Sequence, residues 1–281
     1  MDIITAIKQK KLFLDGGTGT EFHKQGLTGD PVTANLSHPQ AVIDLHWAYL
    51  SAGANIITAN TFGAYNHKHS NFAQIISAAI GNARSAISHN SDGLNKWIAL
   101  DMGPTGLTLE PYGDTTVQEA AAIFAQTIEH GVECGADLIL IETMMDPAEL
   151  KIAVTEAKKT KLPIFATMSF DITGHTMYGA SIKGMVELLE ELKVDALGMN
   201  CGQGLKQYAS LVEELLNITN LPVIFQPNAG LPEMIDGAPK YSILPEVYAN
   251  FMAEMARKGV AILGGCCGTE PAHIAAMVKK I

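Results

Sequence analysis

Eight short apolar runs, spaced roughly 25 to 45 residues apart, constrain this chain more than any other feature, because that spacing is the one repeated βα units produce. They fall at 12–14, 55–59, 97–100, 138–141, 164–168, 196–199, 223–225 and 260–263. None shows a clean period of two, and most are apolar throughout, as strands covered on both faces are. Stretches with helical signals lie between them. In 39–51, Val42, Ile43, Leu45 and Ala48 recur close to helical spacing. Residues 116–134 are alanine-rich and end near Gly135. In 147–159, Pro147 suits a first helical position, and Gly259 stops a helix over 241–258. Eight strands with intervening helices predict a (β/α)8 TIM barrel, read as a single domain over residues 1–281; a doubly wound open sheet is the alternative. No linker, low-complexity tract or solenoid-length repeat interrupts the pattern.

Composition narrows the partners. A formal net charge of −10 speaks against nucleic acid, whose phosphates reward clustered Lys and Arg. The N-terminus Met1-Asp2-Ile3-Ile4-Thr5 has no basic segment followed by an apolar one, and charge breaks every apolar stretch well short of a membrane span. Four cysteines are too few for a disulfide framework. The expectation is a cytoplasmic protein with free or metal-bound thiols.

In such a barrel the chemistry sits at the C-terminal ends of the strands. Those ends carry Asp15-Gly16-Gly17-Thr18-Gly19-Thr20, Asn60-Thr61, Asp101, Glu142-Thr143, Ser169, Asn200-Cys201-Gly202, Gln226-Pro227-Asn228 and Gly264-Gly265-Cys266-Cys267-Gly268-Thr269. Cys201, Cys266 and Cys267 would converge as a three-thiolate site, with the open fourth position a catalytic zinc needs. Adjacent strand residues point to opposite faces, so Cys266 and Cys267 can both ligate only where the chain leaves strand geometry. Gly264, Gly265 and Gly268 permit that departure. The alternative is that these are buried apolar cysteines; Cys134, before the fourth strand, is read that way.

The glycine-rich turn after the first strand lacks the lysine of a phosphate-binding loop. It could cradle a phosphate, admit a small substrate to the backbone, or be a plain tight turn. Glu142 ends an apolar strand, which is costly unless the carboxylate is paired or functional. It could hold an ammonium group, act as a base, or support a neighbouring cation. Asn60, Asn200 and Asn228 are candidate donors to a carboxylate or braces for their loops. The histidines offer no metal spacing, with His67 and His69 expected on an exposed helix start or loop, and Asp101 lacks triad partners.

Taken together, the Gly264-Gly265-Cys266-Cys267-Gly268-Thr269 motif, Asn200-Cys201-Gly202 and Asp15-Gly16-Gly17-Thr18-Gly19-Thr20 resemble the homocysteine S-methyltransferase family. So do Ala59-Asn60-Thr61-Phe62, Ile141-Glu142-Thr143 and Pro227-Asn228-Ala229-Gly230. Residues 103–106 and 109–111 are most similar to the homocysteine-binding module of cobalamin-dependent methionine synthases. The resemblance implies zinc held by Cys201, Cys266 and Cys267, with no catalytic residue beyond the metal site. It implies that Glu142 and the backbone at Asp15 and Gly16 hold the amino acid end of homocysteine; Asn200 is a further candidate contact. The implied reaction forms methionine, the zinc-bound homocysteine thiolate attacking a methyl donor.

Since the chain ends at Ile281, the donor is expected to come from outside it. A methylated corrinoid on a separate protein, or on separate folate- and cobalamin-binding subunits, is the first expectation. S-methylmethionine or S-adenosylmethionine is the alternative donor, and a non-catalytic thiol-binding subunit the alternative role.

Overall fold

The computed structural model describes residues 1–90, 92–202, 205–235 and 238–281. Its strands are β1 (Leu12–Phe13), β2 (Ile56–Thr58), β3 (Trp97–Met102), β4 (Leu138–Met144), β5 (Ile164–Met168), β6 (Ala196–Cys201), β7 (Val223–Pro227), β8 (Glu233–Ile235), β9 (Ala238–Lys240) and β10 (Ile262–Leu263). Eight of them form one parallel sheet in the order β1-β10-β7-β6-β5-β4-β3-β2. A parallel bridge between Leu14 and Ile56 joins its two edges. The Asn55 N–H, donating to the Phe13 carbonyl at 2.7 Å, reinforces the seam. This closure makes the (β/α)8 barrel and excludes the open doubly wound sheet. β8 and β9 pair separately as an antiparallel hairpin.

Strand side chains alternate between the two faces, and that alternation builds the site. Leu12, Leu14, Ile56, Trp97, Ala99, Leu138, Leu140, Phe165, Ala196, Ile224 and Ile262 form an interior cluster separate from the larger core under the helices. Two residues further along, the inward positions become Thr58, Asp101, Glu142, Thr167, Asn200 and Gln226, all buried. The barrel is therefore apolar below and polar at its C-terminal mouth. A helix at Ile3–Gln9, capped by Asp2, adds Ile3, Ala6 and Ile7 to the interior cluster.

Gly198 belongs to the same inward series. A Cβ there would lie 1.9 Å from the Ile224 carbonyl oxygen on the neighbouring strand. Backbone cannot give way as a flexible side chain can, so Gly198→Ala is expected to destabilise by about 3 kcal/mol. A thermal melt checks this; an unchanged midpoint would mean that β6 and β7 separate easily.

The structure corrects several sequence boundaries. β3, β4, β6 and β7 run on beyond 100, 141, 199 and 225, so Asp101, Glu142, Asn200 and Gln226 are strand residues rather than loop residues. A polar residue facing the mouth ends the apolar pattern without ending the strand. The helix over 39–51 is observed as Pro39–Ser51, and that over 116–134 as Val117–Glu133, with Thr116 and Glu119 forming a capping box. The last of the expected helices starts at Pro245 rather than 241, because the Ile243 N–H is held by the Ala229 carbonyl at 3.1 Å. No helix among the described residues is long and apolar enough to cross a membrane.

In the Pro39–Ser51 helix, His46 is buried with both ring nitrogens lacking a partner. Burial pushes its pKa from 6.5 down to about 4. Between those values the unfolded chain binds a proton that the native one refuses, so stability falls as pH drops through this window. His46→Leu is expected to gain about 2 kcal/mol over the native chain at pH 4.5 relative to pH 7.5. Parallel acid dependence of the two proteins would show that His46 is not responsible.

Candidate metal centre and substrate pocket

The sulfur atoms of Cys201, Cys266 and Cys267 lie within 4.8 Å of one another. Cys201 closes β6 with φ of 59°, a left-handed conformation uncommon for a residue with a Cβ. Such strain persists where surrounding contacts over-determine it, and Asn200 and Asn228 supply them. Asn200 accepts from the Thr143 N–H at 2.8 Å and the Thr167 hydroxyl at 2.7 Å. Its Nδ2 donates to Thr143 Oγ1 at 2.7 Å and lies 3.9 Å from Cys266 Sγ. Thr143 is itself left-handed, at φ of 59°, where the β4–β5 register shifts between Ile141 and Met144.

Cys266 and Cys267 lie beyond β10, where the chain has left strand geometry, so both can face the same site. Hydrogen bonds fix the turn. The Gly265 N–H donates to the Asp15 carbonyl at 2.9 Å, and the Cys266 N–H to the Pro227 carbonyl at 3.1 Å. The Cys267 N–H donates to Asn228 Oδ1 at 3.0 Å, while Asn228 Nδ2 donates to the Gly202 carbonyl at 2.9 Å. Gly265 has no room for a side chain, since a Cβ would sit 2.2 Å from Thr269 Oγ1.

Charge is shared unevenly within the cluster. Hydrogen bonds from Cys266 and Cys267 pull Cys201 down to about 3, while Cys266 is held well above its usual value and Cys267 at about 11. The physical content is one thiolate stabilised by two thiols. Three sulfurs at this separation suit a tetrahedral soft-metal site, because zinc–sulfur bonds of about 2.3 Å require only a small contraction. Among the described residues, no histidine or carboxylate joins the cluster. Cys134 caps the Val117–Glu133 helix and packs against the outer core, as the apolar reading expected.

The three cysteines open onto a cavity of about 600 Å³ that Asp15, Asp101, Glu142 and Gln226 also line. Burial raises Asp15 to about 7. Burial, with the charges of Asp15 and Cys201, raises Glu142 to about 8. Asp101 goes well above its usual value through burial and the charges of Glu142 and Asp15. Asp15 accepts from the Thr58 N–H and hydroxyl, each at 2.9 Å, and Glu142 accepts from Gln226 Nε2 at 3.3 Å. Asp101 Oδ1 and Gln226 Oε1 are buried with no donor. Unpaired buried acceptors are expensive, so this wall is complementary to a ligand that donates protons and carries positive charge.

The structure brings Asp15, Gly16, Glu142 and the three cysteines to one cavity. Asn200 stands behind that surface, 1% exposed, with its amide occupied by Thr143 and Thr167. Asn60 donates to the Pro31 carbonyl at 2.7 Å, so it and Asn228 are braces. The Gly17 N–H is taken by the Thr269 carbonyl at 3.1 Å and so is unavailable to a phosphate. His67 meets the Thr105 carbonyl and His69 meets Asp30. Asp101, for which the sequence offers no triad partners, lines the same cavity. Its signal, a carboxylate ending an apolar run, was the same one that singled out Glu142.

The model of the family described as homocysteine S-methyltransferase matches residues 12–281. Methionine synthase of Mycobacterium tuberculosis (strain ATCC 25618 / H37Rv) is 30% identical over 97% of this chain and 25% of its own length. Methionine synthase of Mycobacterium leprae (strain TN) is 26% identical over 97% of this chain and 24% of its own. The chain thus spans about a quarter of the length of these curated relatives. Among solved structures, the metallated form of the homocysteine methyltransferase MmuM from Escherichia coli superposes with a TM-score of 0.83 at 22% identity, covering 99% of both chains. The apo form gives 0.78 at 24% identity, covering 98% of this chain and 97% of that one. At these identities the structural likeness shows the fold.

Proposed function

The chain belongs to the homocysteine S-methyltransferase family, and on that premise we propose that it methylates the sulfur of homocysteine to give methionine, with residues 1–281 acting as one substrate-binding barrel. The observation that carries the reading is the meeting, in one cavity, of three clustered cysteine sulfurs with a wall of buried carboxylates. The first suits a metal and a thiol; the second suits an amino acid's ammonium group.

Cys201, Cys266 and Cys267 would hold zinc. Zinc there would supply the Lewis acidity that keeps a thiol of ordinary pKa near 8.5 deprotonated at neutral pH. The protein's own groups do the rest. Glu142, Asp101 and Asp15 offer their acceptors to the substrate ammonium, and the orphaned Asp101 Oδ1 and Gln226 Oε1 would take two of its three N–H donors. The turn at Asp15 and Gly16 is closely packed, a Cβ on Gly16 falling 2.7 Å from Thr269 Oγ1, so the backbone itself forms that part of the wall. Asn200 holds Thr143 and Cys266 in register and acts on substrate through them. Held in this way, the substrate would lie in the same cavity as the three cysteines, with its thiol end toward them.

For the donor, the named relatives are methionine synthases of which the chain matches a quarter. This supports a methylated corrinoid carried outside the matched stretch. A screen on zinc-loaded protein tests it, with methionine formation as the readout. Methylcobalamin should support turnover, and S-methylmethionine and S-adenosylmethionine should not. Turnover with either sulfonium compound alone would reassign the donor, and turnover with free methylcobalamin would set aside a purely thiol-delivering role.

A further inference from the structure

The wall that suits an ammonium group is a poor place for the rest of an amino acid. Asp15, Asp101 and Glu142 line it, and Asp30 lines the same cavity. An α-amino acid carries its carboxylate on the same carbon as its ammonium, so carboxylates that attract one group repel the other. The two amide side chains that line the cavity are spent within the protein. Asn60 donates to the Pro31 carbonyl at 2.7 Å, and Gln226 donates to Glu142 at 3.3 Å. Among the described residues that line the cavity, Lys68 is the one cationic side chain. Its Nζ has no ion-pair or hydrogen-bond partner among the described residues.

Lys68 is exposed, yet its ammonium has a defined seat. A Cβ on Gly63 would lie 3.8 Å from Nζ and one on Gly106 3.5 Å, so Nζ rests between the turn after β2 and the loop after β3. Both glycines are left-handed, with φ of 80° and 79°, a conformation that other residues rarely adopt. The Tyr65 ring lies below, its centroid 5.6 Å from Nζ, within reach of a cation–π attraction. Tyr65 is buried, and its hydroxyl donates to the Gly103 carbonyl. The His67 ring meets the Thr105 carbonyl at 3.1 Å, and the Thr105 N–H donates to the buried Glu149 at 2.8 Å. The two loops are thus locked together beneath the ammonium, which its four-carbon stem can turn toward a ligand.

Resting on the functional reading above, we propose that Lys68 is a substrate-binding residue: its ammonium takes the α-carboxylate of the amino acid while the buried carboxylates take the α-ammonium. The cavity is then built for a zwitterion, and Lys68 is what separates an α-amino acid thiol from a simple aminothiol.

The test is titration calorimetry on the whole zinc-loaded protein with two ligands. One is L-homocysteine; the other is 3-aminopropane-1-thiol, the same chain with hydrogen in place of the carboxylate. Lys68→Met keeps the apolar stem and removes the charge, and Lys68→Arg keeps the charge. Lys68→Met should bind homocysteine roughly tenfold more weakly than the native protein, the scale of one charge-assisted hydrogen bond at a site open to water. Its affinity for the aminothiol should be unchanged, and Lys68→Arg should bind homocysteine close to the native affinity. Equal homocysteine affinities in native and Lys68→Met protein overturn the proposal while leaving the functional reading intact. An equal loss for both ligands in Lys68→Met also overturns it, because that marks a loosened site rather than a lost carboxylate contact. Failure of the native protein to bind homocysteine defeats the functional reading itself and this inference with it.

Discussion

Replacing any one of Cys201, Cys266 and Cys267 with alanine is expected to abolish zinc binding and to lower kcat/KM for homocysteine by on the order of 10³-fold or more. A metal that polarises a reacting centre is worth several kcal/mol, and a three-ligand site has no spare ligand. Among the described residues no histidine or carboxylate stands close enough to the sulfurs to substitute. The loss should be local. Cys266 and Cys267 lie in a turn held by main-chain bonds from Gly265 to Asp15 and from Cys266 to Pro227, which alanine preserves. The three alanine variants should therefore melt close to the metal-free native protein. Metal analysis and steady-state rates on the same preparations decide the matter, and full turnover by a metal-free Cys266→Ala protein would sink the mechanism.

The second large effect is expected at Glu142. Glu142→Gln should raise KM for homocysteine by about 10- to 100-fold, the worth of a charge-assisted hydrogen bond in a buried site, while kcat changes little. On the proposed reading the carboxylate faces the amino acid end of the ligand, while the substrate's reacting sulfur lies at the cysteine end of the cavity. An unchanged KM would move Glu142 to a structural role.

The same substitution carries a pH signature. The Glu142 pKa is raised from 4.5 to about 8 by burial, by Asp15 and by Cys201. Between those values the native protein keeps a proton that the unfolded chain has released, so stability falls as pH rises through the window. Glu142→Gln removes a share of that fall worth roughly a few kcal/mol, and its midpoint should decline less than the native one between pH 5 and pH 8. Identical declines would assign the carboxyl proton to Asp15 or Asp101 instead.

The barrel was legible because its interior is apolar for two layers and repeats that pattern on each strand. Leu138 and Leu140 or Trp97 and Ala99 cannot be mistaken for surface. The third layer was placed at the mouth, but its membership of the strands was not legible. Asp101, Glu142, Asn200 and Gln226 continue the inward alternation, yet a polar side chain reads in sequence as the end of a strand. The helix Ile3–Gln9 was also missed, although Asp2 as its cap and the spacing of Ile3, Ala6 and Ile7 carried the signal. The hairpin of β8 and β9 gave none, since Pro232 and Pro239 make its sequence read as loop.

In the candidate site, the cysteines were readable from glycine context and strand position. The committed hydrogen bonds of Asn200 and the empty acceptor of Asp101 were not, because both depend on side chains from other strands.

The central claim is that the cysteine cluster holds a metal that takes up the substrate's sulfur. Counting sulfur neighbours of bound zinc by X-ray absorption, before and after homocysteine is added, addresses it most directly. The account predicts sulfur from Cys201, Cys266 and Cys267 in the first state and one additional sulfur in the second. An unchanged sulfur count at saturating homocysteine would contradict it.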